Sequence, residues 1–128
     1  MKMKQQSSLT AMEIVEGIKS GAVSCEELIS GIYERIERSE LNCYITLNKE
    51  EALRKAREVD NNRDKDKEEY MHKKLLGVPI AIKDSISTRN IQTTCASKIL
   101  EGYIPPYDAT VIEALKREGA IIIGKTNM

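Results

Sequence analysis

Phenylalanine and tryptophan are absent from this 128-residue chain, and five tyrosines are its only aromatics. That argues against a stacking platform for single-stranded nucleic acid and leaves the core to Ile, Leu, Val, Ala and Met. Net charge is missing too: 20 basic residues balance 20 acidic ones. Bulk electrostatics therefore argues against a dedicated DNA-binding module, though not against a localised RNA contact. Histidine occurs once, at His72, within a charged stretch and without a second ligand candidate, so no metal site is expected. The three cysteines, Cys25, Cys43 and Cys95, form no C-x-x-C pair and no disulfide framework. They fit a reducing compartment, each as a small buried apolar residue rather than a reactive thiol. No apolar run approaches the roughly 20 residues that cross a bilayer. The opening MKMKQQSS is basic but has no apolar segment behind it, so it is not a secretory signal. A soluble cytoplasmic protein of one modest domain is the expectation.

What is present is helical periodicity followed by strand runs. Thr10 with Glu13 makes a capping box ahead of Ala11, Ile14, Val15 and Ile18, and Gly21 can close that helix. Ser24 with Glu27 repeats the signal before Leu28, Ile29, Ile32 and Ile36, so residues 9–39 read as a helical hairpin. Cys43, Ile45 and Leu47 alternate with Tyr44 and Thr46 as a half-buried strand. Asn48 with Glu51 opens a helix to about Asp60 with Leu53, Ala56 and Val59 inward, completing a 40–60 unit. Residues 61–74, NNRDKDKEEYMHKK, read as a solvated linker or frayed helix end. In 75–128, LLGVPIAI is a buried strand, Asp108 caps a helix bearing Val111, Ile112 and Leu115, Gly119 stops it, and residues 120–123 form a second strand. The fold class is α/β, with a parallel, right-handed β-α-β unit.

The ending GAIIIGKT satisfies G-x-x-x-x-G-K-[ST], the phosphate-binding loop. Its context is wrong. Gly119 ends a helix, Ala120 to Ile123 are strand core, and β-branched residues resist the positive φ angles of a phosphate cradle. Lys83 is the other lysine of interest, because it sits at the C-terminal end of a strand run, where open α/β sheets place their ligands. It acts as a base only if its pKa falls, and burial beside apolar walls is one route. Composition leaves two readings open: a catalytic lysine, or one snorkelling out of a strand end. Ser85 and Ser87 lie nearby in sequence, which does not guarantee contact with it.

The run GVPIAIKDSISTRNIQTTCASKILEGYIPPYDATVIEALKREGAIIIGKTNM, residues 77–128, resembles the amidase signature family. Within that family, TTCASKILEGYIPPYDATV is similar to the glutamine-hydrolysing A subunits of tRNA-dependent amidotransferases, and LTAMEIVEGIKSG, NCYITLN and EEALRKAREVD extend the likeness upstream to about residue 9. The resemblance implies a Ser–Ser–Lys triad in which Lys83 matches the lysine of the family's IKD motif. It implies a larger mixed sheet of which this chain holds the opening part, so that apolar faces are left uncovered. It implies no cofactor bound by this chain, ATP and Mg being used by a partner, and a heterotrimer with amidotransferase subunits B and C acting on glutamine and a misacylated tRNA, with no membrane. Both triad serines belong to a Gly/Ser-rich segment beyond GKTNM, and Ser85, Ser87 and Ser97 match neither. Lys83 is thus the one catalytic residue carried over, and the chain is expected to be an N-terminal portion, inactive alone. The alternatives are a portion of another amidase-signature amide hydrolase, or a non-catalytic binding module that joins the other subunits through its helical hairpin.

Overall fold

Helices flank a short sheet in the computed structural model, which describes residues 8–65 and 67–128; the opening MKMKQQS, read from sequence as no secretory signal, lies outside the described residues. The Thr10–Glu13 capping box closes reciprocally at the start of α1 (Ala11–Ser20). Gly21 ends the helix at φ 86°, a left-handed conformation that glycine adopts without Cβ strain. Ile14, Val15 and Ile18 are its buried face.

The second capping signal forms only in part. Ser24 accepts from the Glu27 N–H at the head of α2 (Cys25–Arg38), but the Glu27 side chain does not complete the box. Asp60, near the end of α3 (Lys49–Asn62), takes over. Its carboxylate accepts from Ser24 Oγ (3.0 Å), the Cys25 N–H (2.8 Å) and the Glu26 N–H (3.0 Å). An anion at the positive end of a helix and three satisfied donors tie α3 to α2. Accordingly α2 packs chiefly on α3, not on α1 as a simple hairpin would. The Asn48–Glu51 box expected ahead of α3 is absent, because Asn48 Nδ2 instead donates to the Ile122 carbonyl at 3.0 Å.

Strand β1 (Tyr44–Leu47) presents its faces opposite to the simplest reading of its alternation. Tyr44 packs on the main core, and Thr46 Oγ1 accepts from Gln92 Nε2 at 3.0 Å. Ile45 and Leu47 face out, 38% and 43% exposed. Cys25 is fully buried, as expected of a small apolar residue, but Cys43 and Cys95 are exposed, since both lie in irregular backbone away from the core. The described residues of 61–74, all but residue 66, carry some secondary structure. They hold the end of α3 and a short α4 (Lys67–Met71), Lys19 Nζ donates to the Met71 carbonyl (2.8 Å), and Lys73 Nζ to that of Arg117 (3.0 Å).

The apolar run at 75–82 is strand only from Pro79, as β2 (Pro79–Lys83). Leu75 to Val78 form a turn whose Gly77 has φ 74°. As an edge strand β2 is only partly covered, and its proline costs no ladder bond there. A 3₁₀ turn (Lys98–Leu100) interrupts the long loop that leads to α5 (Thr110–Arg117). The cap of α5 differs from expectation: Asp108 does not bond its first turn but pairs with Lys116 (2.8 Å) and accepts from the Arg89 N–H (2.7 Å). Gly119, at φ 90°, follows the helix as its stop.

Strand β3 (Ile121–Thr126) is the centre of the sheet, order β1-β3-β2, antiparallel to β1 and parallel to β2. The β2-α5-β3 unit is therefore parallel, as its connection requires. Ile121 and Ile123 enter the main core with α1, α2 and α3, while Ile122 joins a smaller core with Ile82, Ile91 and Ile112. The strand outruns the AIII run by three residues, taking in Gly124, Lys125 and Thr126. Tyr33, buried on α2, donates its hydroxyl to the Ile123 carbonyl at 2.6 Å and locks that helix to the strand.

Candidate functional site

The GKT triplet lies in extended backbone paired on both sides. Gly124 stands opposite Leu47 on β1 and Ala81 on β2, and Lys125 opposite Thr46 and Ile82. A Cβ on Gly124 would run into the Thr46 carbonyl, so its glycine serves close strand approach and not a phosphate cradle. The Lys125 ammonium points inward with no exposure to solvent. These residues do not fit a nucleotide phosphate.

Lys83 ends β2 opposite Thr126, with its side chain exposed. The expected burial beside apolar walls is not supplied by these residues. None of the nearby serines reaches it. Ser87 Oγ meets the Tyr107 hydroxyl at 3.4 Å, Ser97 Oγ accepts from the Ile99 N–H at 3.3 Å as the cap of the 3₁₀ turn, and Ser85 is exposed. Among the described residues Lys83 therefore stands alone at the C-terminal end of the edge strand β2.

Directly behind it lies a polar cluster with no exposure at Asp84, Thr88 or Lys125 and little at Thr93 and Thr94. The Asp84 N–H donates to the Thr126 carbonyl (3.0 Å) and its carbonyl accepts from the Cys95 N–H (2.9 Å). Asp84 Oδ2 accepts from the Thr94 N–H (3.1 Å), the Ala96 N–H (3.2 Å) and, in a short bond, the Thr94 hydroxyl. Three successive amides thus converge on one residue, two of them on its carboxylate and the middle one on its backbone carbonyl. Cys95 and Ala96 are held at φ 53° and 57°, left-handed values that an L residue adopts at a cost of about 1–2 kcal/mol each. The aspartate's many bonds over-determine that strained turn.

Lys125 Nζ donates to the Ile86 carbonyl and to Thr93 Oγ1, both at 2.8 Å, and stands 3.7 Å from Asp84 Oδ1. Burial pushes its pKa below the usual lysine value, and the Asp84 charge opposes that shift. Sequence reasoning missed Asp84, Thr93, Thr94 and Lys125 as a cluster. The available signal was a charged residue two positions after each apolar strand run, Asp84 in IAIKD and Lys125 in IIIGK.

Comparison with known proteins places this geometry. Glutamyl-tRNA(Gln) amidotransferase A subunits are 51% identical to it over 122 residues in Natranaerobius thermophilus and 51% identical over 119 residues in Sulfolobus acidocaldarius, covering 94% and 91% of this chain. The chain spans about a quarter of those relatives, 24% and 23% of their lengths. Among solved structures, an amidase family protein from Bacillus anthracis superposes with a TM-score of 0.86 at 32% identity, over 99% of this chain and 25% of that one. The native peptide amidase from Stenotrophomonas maltophilia gives 0.83 at 28% identity, over 95% and 25%. The sheet is accordingly the incomplete opening part of a larger amidase-signature fold. Since residues 27–128 match the family described as Amidase, and a solved amidase family protein shares the fold at 32% identity, this chain belongs to the amidase family.

Proposed function

We propose that this chain is the N-terminal portion of the glutamine-hydrolysing subunit of a tRNA-dependent amidotransferase. The identity of about half its residues to relatives bearing that subunit's name carries the reading. The peptide amidase, at 28%, is much farther off, which weighs against a simple amide hydrolase. In this reading Lys83 is the base. It takes a proton, through a bridging serine, from a second serine as that serine attacks the side-chain amide carbon of glutamine. The C–N bond breaks, the proton passes to the leaving nitrogen, ammonia departs, and water releases glutamate from the acyl-serine. Neither serine is among Ser85, Ser87 and Ser97, so both come from the part of the relatives' length beyond this match, which would also cover the exposed Lys83.

The ammonia converts Glu-tRNA(Gln) to Gln-tRNA(Gln), or Asp-tRNA(Asn) to Asn-tRNA(Asn), on a partner. Subunits B and C complete the heterotrimer in the cytoplasm, and ATP and Mg act on the partner, in keeping with a GKT triplet that sits inside a strand. The test is glutamine-dependent ammonia release. The 128-residue chain is expected to show none. In the complete subunit, Lys83→Ala should lower kcat by about 10³-fold or more while amidation from added ammonia persists. Glutaminase activity retained in Lys83→Ala would remove Lys83 from the mechanism.

A further inference from the structure

A lysine without solvent exposure on the central strand is an expensive residue, and Lys125 is one. Apolar side chains of similar volume in place of a buried ion pair are often as stable or more so, so stability alone does not account for it. What its ammonium does is hold backbone. Lys125 Nζ donates to the Ile86 carbonyl at 2.8 Å, and the Ile86 N–H donates in turn to the Lys83 carbonyl at 3.0 Å. Two hydrogen bonds therefore connect the buried lysine to the strand end that carries Lys83.

That strand end has little else to hold it. As an edge strand β2 is paired on one side only, by β3, and past Lys83 the pairing closes with the Asp84 N–H on the Thr126 carbonyl at 3.0 Å. The chain then turns away, and Lys125 catches it at Ile86. The ammonium is itself fixed from two further directions, by Thr93 Oγ1 at 2.8 Å and Asp84 Oδ1 at 3.7 Å. Asp84 is fixed in turn by the Thr94 and Ala96 amides. We propose that Lys125 is a positioning residue for Lys83: it anchors the Ile86 carbonyl and, through the Lys83–Ile86 turn, the direction in which Lys83 leaves the sheet. The inference rests on the reading of Lys83 as the base. It gives Lys125 no contact with substrate and does not depend on the charge state of Lys83.

The test is kinetic, on the complete subunit in its complex, with glutamine as substrate. Lys125→Met should lower kcat by about 10- to 100-fold and leave KM within about twofold of wild type. Lys125→Met combined with Asp84→Asn guards against misfolding. It removes both buried charges and keeps an acceptor for Thr94 and Ala96, yet the Ile86 carbonyl still loses its donor, so kcat should stay low. Were the pair there for stability only, this combination would recover the wild-type kcat, and that recovery overturns the proposal. A cycle with Lys83 gives a second readout. In Lys83→Ala, adding Lys125→Met should change the residual rate, measured at stoichiometric enzyme, by less than about twofold, because the group it positions is gone. A further loss as large as in the Lys83 background means that Lys125 acts elsewhere, and overturns the proposal. Full glutaminase activity in Lys83→Ala overturns the base reading and the positioning with it. An inactive Lys83→Ala beside an unimpaired Lys125→Met overturns the positioning alone.

Discussion

Cys25 shows how one side chain couples burial to solution conditions. Burial first, and the nearby Asp60 charge second, push its thiol from 9.0 up to about 12. The folded chain therefore keeps a proton that the unfolded chain releases above pH 9. This contribution to stability is complete below that value and declines as pH rises toward about 12, at about 1.4 kcal/mol per pH unit. Cys25→Ala removes it. At neutral pH the variant should be less stable by about 1–2 kcal/mol through lost packing. At about pH 10 that deficit should shrink by roughly 1 kcal/mol. Denaturant melts of both proteins at the two pH values measure it, and a pH-independent deficit would contradict the assignment. The same burial protects the thiol from oxidation and alkylation, whereas Cys43 and Cys95 are open to reagent.

Among elements, α2 is the one whose position depends most on a residue outside itself. Its first turn directs Ser24 Oγ and the Cys25 and Glu26 amides at Asp60 on α3. Its far side is pinned by Tyr33 to the β3 backbone. Asp60→Ala should cost about 2–3 kcal/mol, since three donors lose their acceptor and the positive end of the helix loses its anion. Hydrogen exchange should show the added opening concentrated in residues 24–28. A loss below about 0.5 kcal/mol would mean that the packing of α2 on α3 holds the helix without the cap. Glu27 offered the sequence a local alternative to this arrangement. The distant acid prevailed because one carboxylate can receive three donors at once.

At the scale of the whole molecule, the sheet order leaves one edge of β1 and one edge of β2 without strand partners among the described residues. Large apolar side chains lie in the open nearby and along the loop before α5. Leu41 is 80% exposed and Ile99 92%, and Tyr103, Ile104, Tyr107 and Val111 are exposed as well. Unpaired edges and apolar patches of this kind promote association. The 128-residue chain should therefore self-associate in sedimentation velocity at about 10–100 μM, whereas the complete subunit, with these faces covered, should not. A concentration-independent monomer would contradict this and would favour the reading of the chain as a self-sufficient binding module.

Local signals and distant ones divide the molecule cleanly. The α1 capping box, the Gly21 and Gly119 stops, the helical stripes and the β-α-β order were legible in the sequence, because each depends on residues within one turn or one strand of one another. Lys83 at a strand end was legible for the same reason. What required the tertiary structure was every polar choice made across the chain: Asp60 over Glu27 as the cap of α2, Asn48 turned to β3, Asp108 paired with Lys116, and Ile45 and Leu47 turned outward. The meaning of GKT belongs to this second class. Periodicity could show that a strand lies within residues 120–123, one residue ahead of where the structure starts it at Ile121. Only the pairing of β3 with strands on both sides carries it through Lys125, because that pairing satisfies the backbone and the Asp84 turn supplies a buried lysine with its counter-charge.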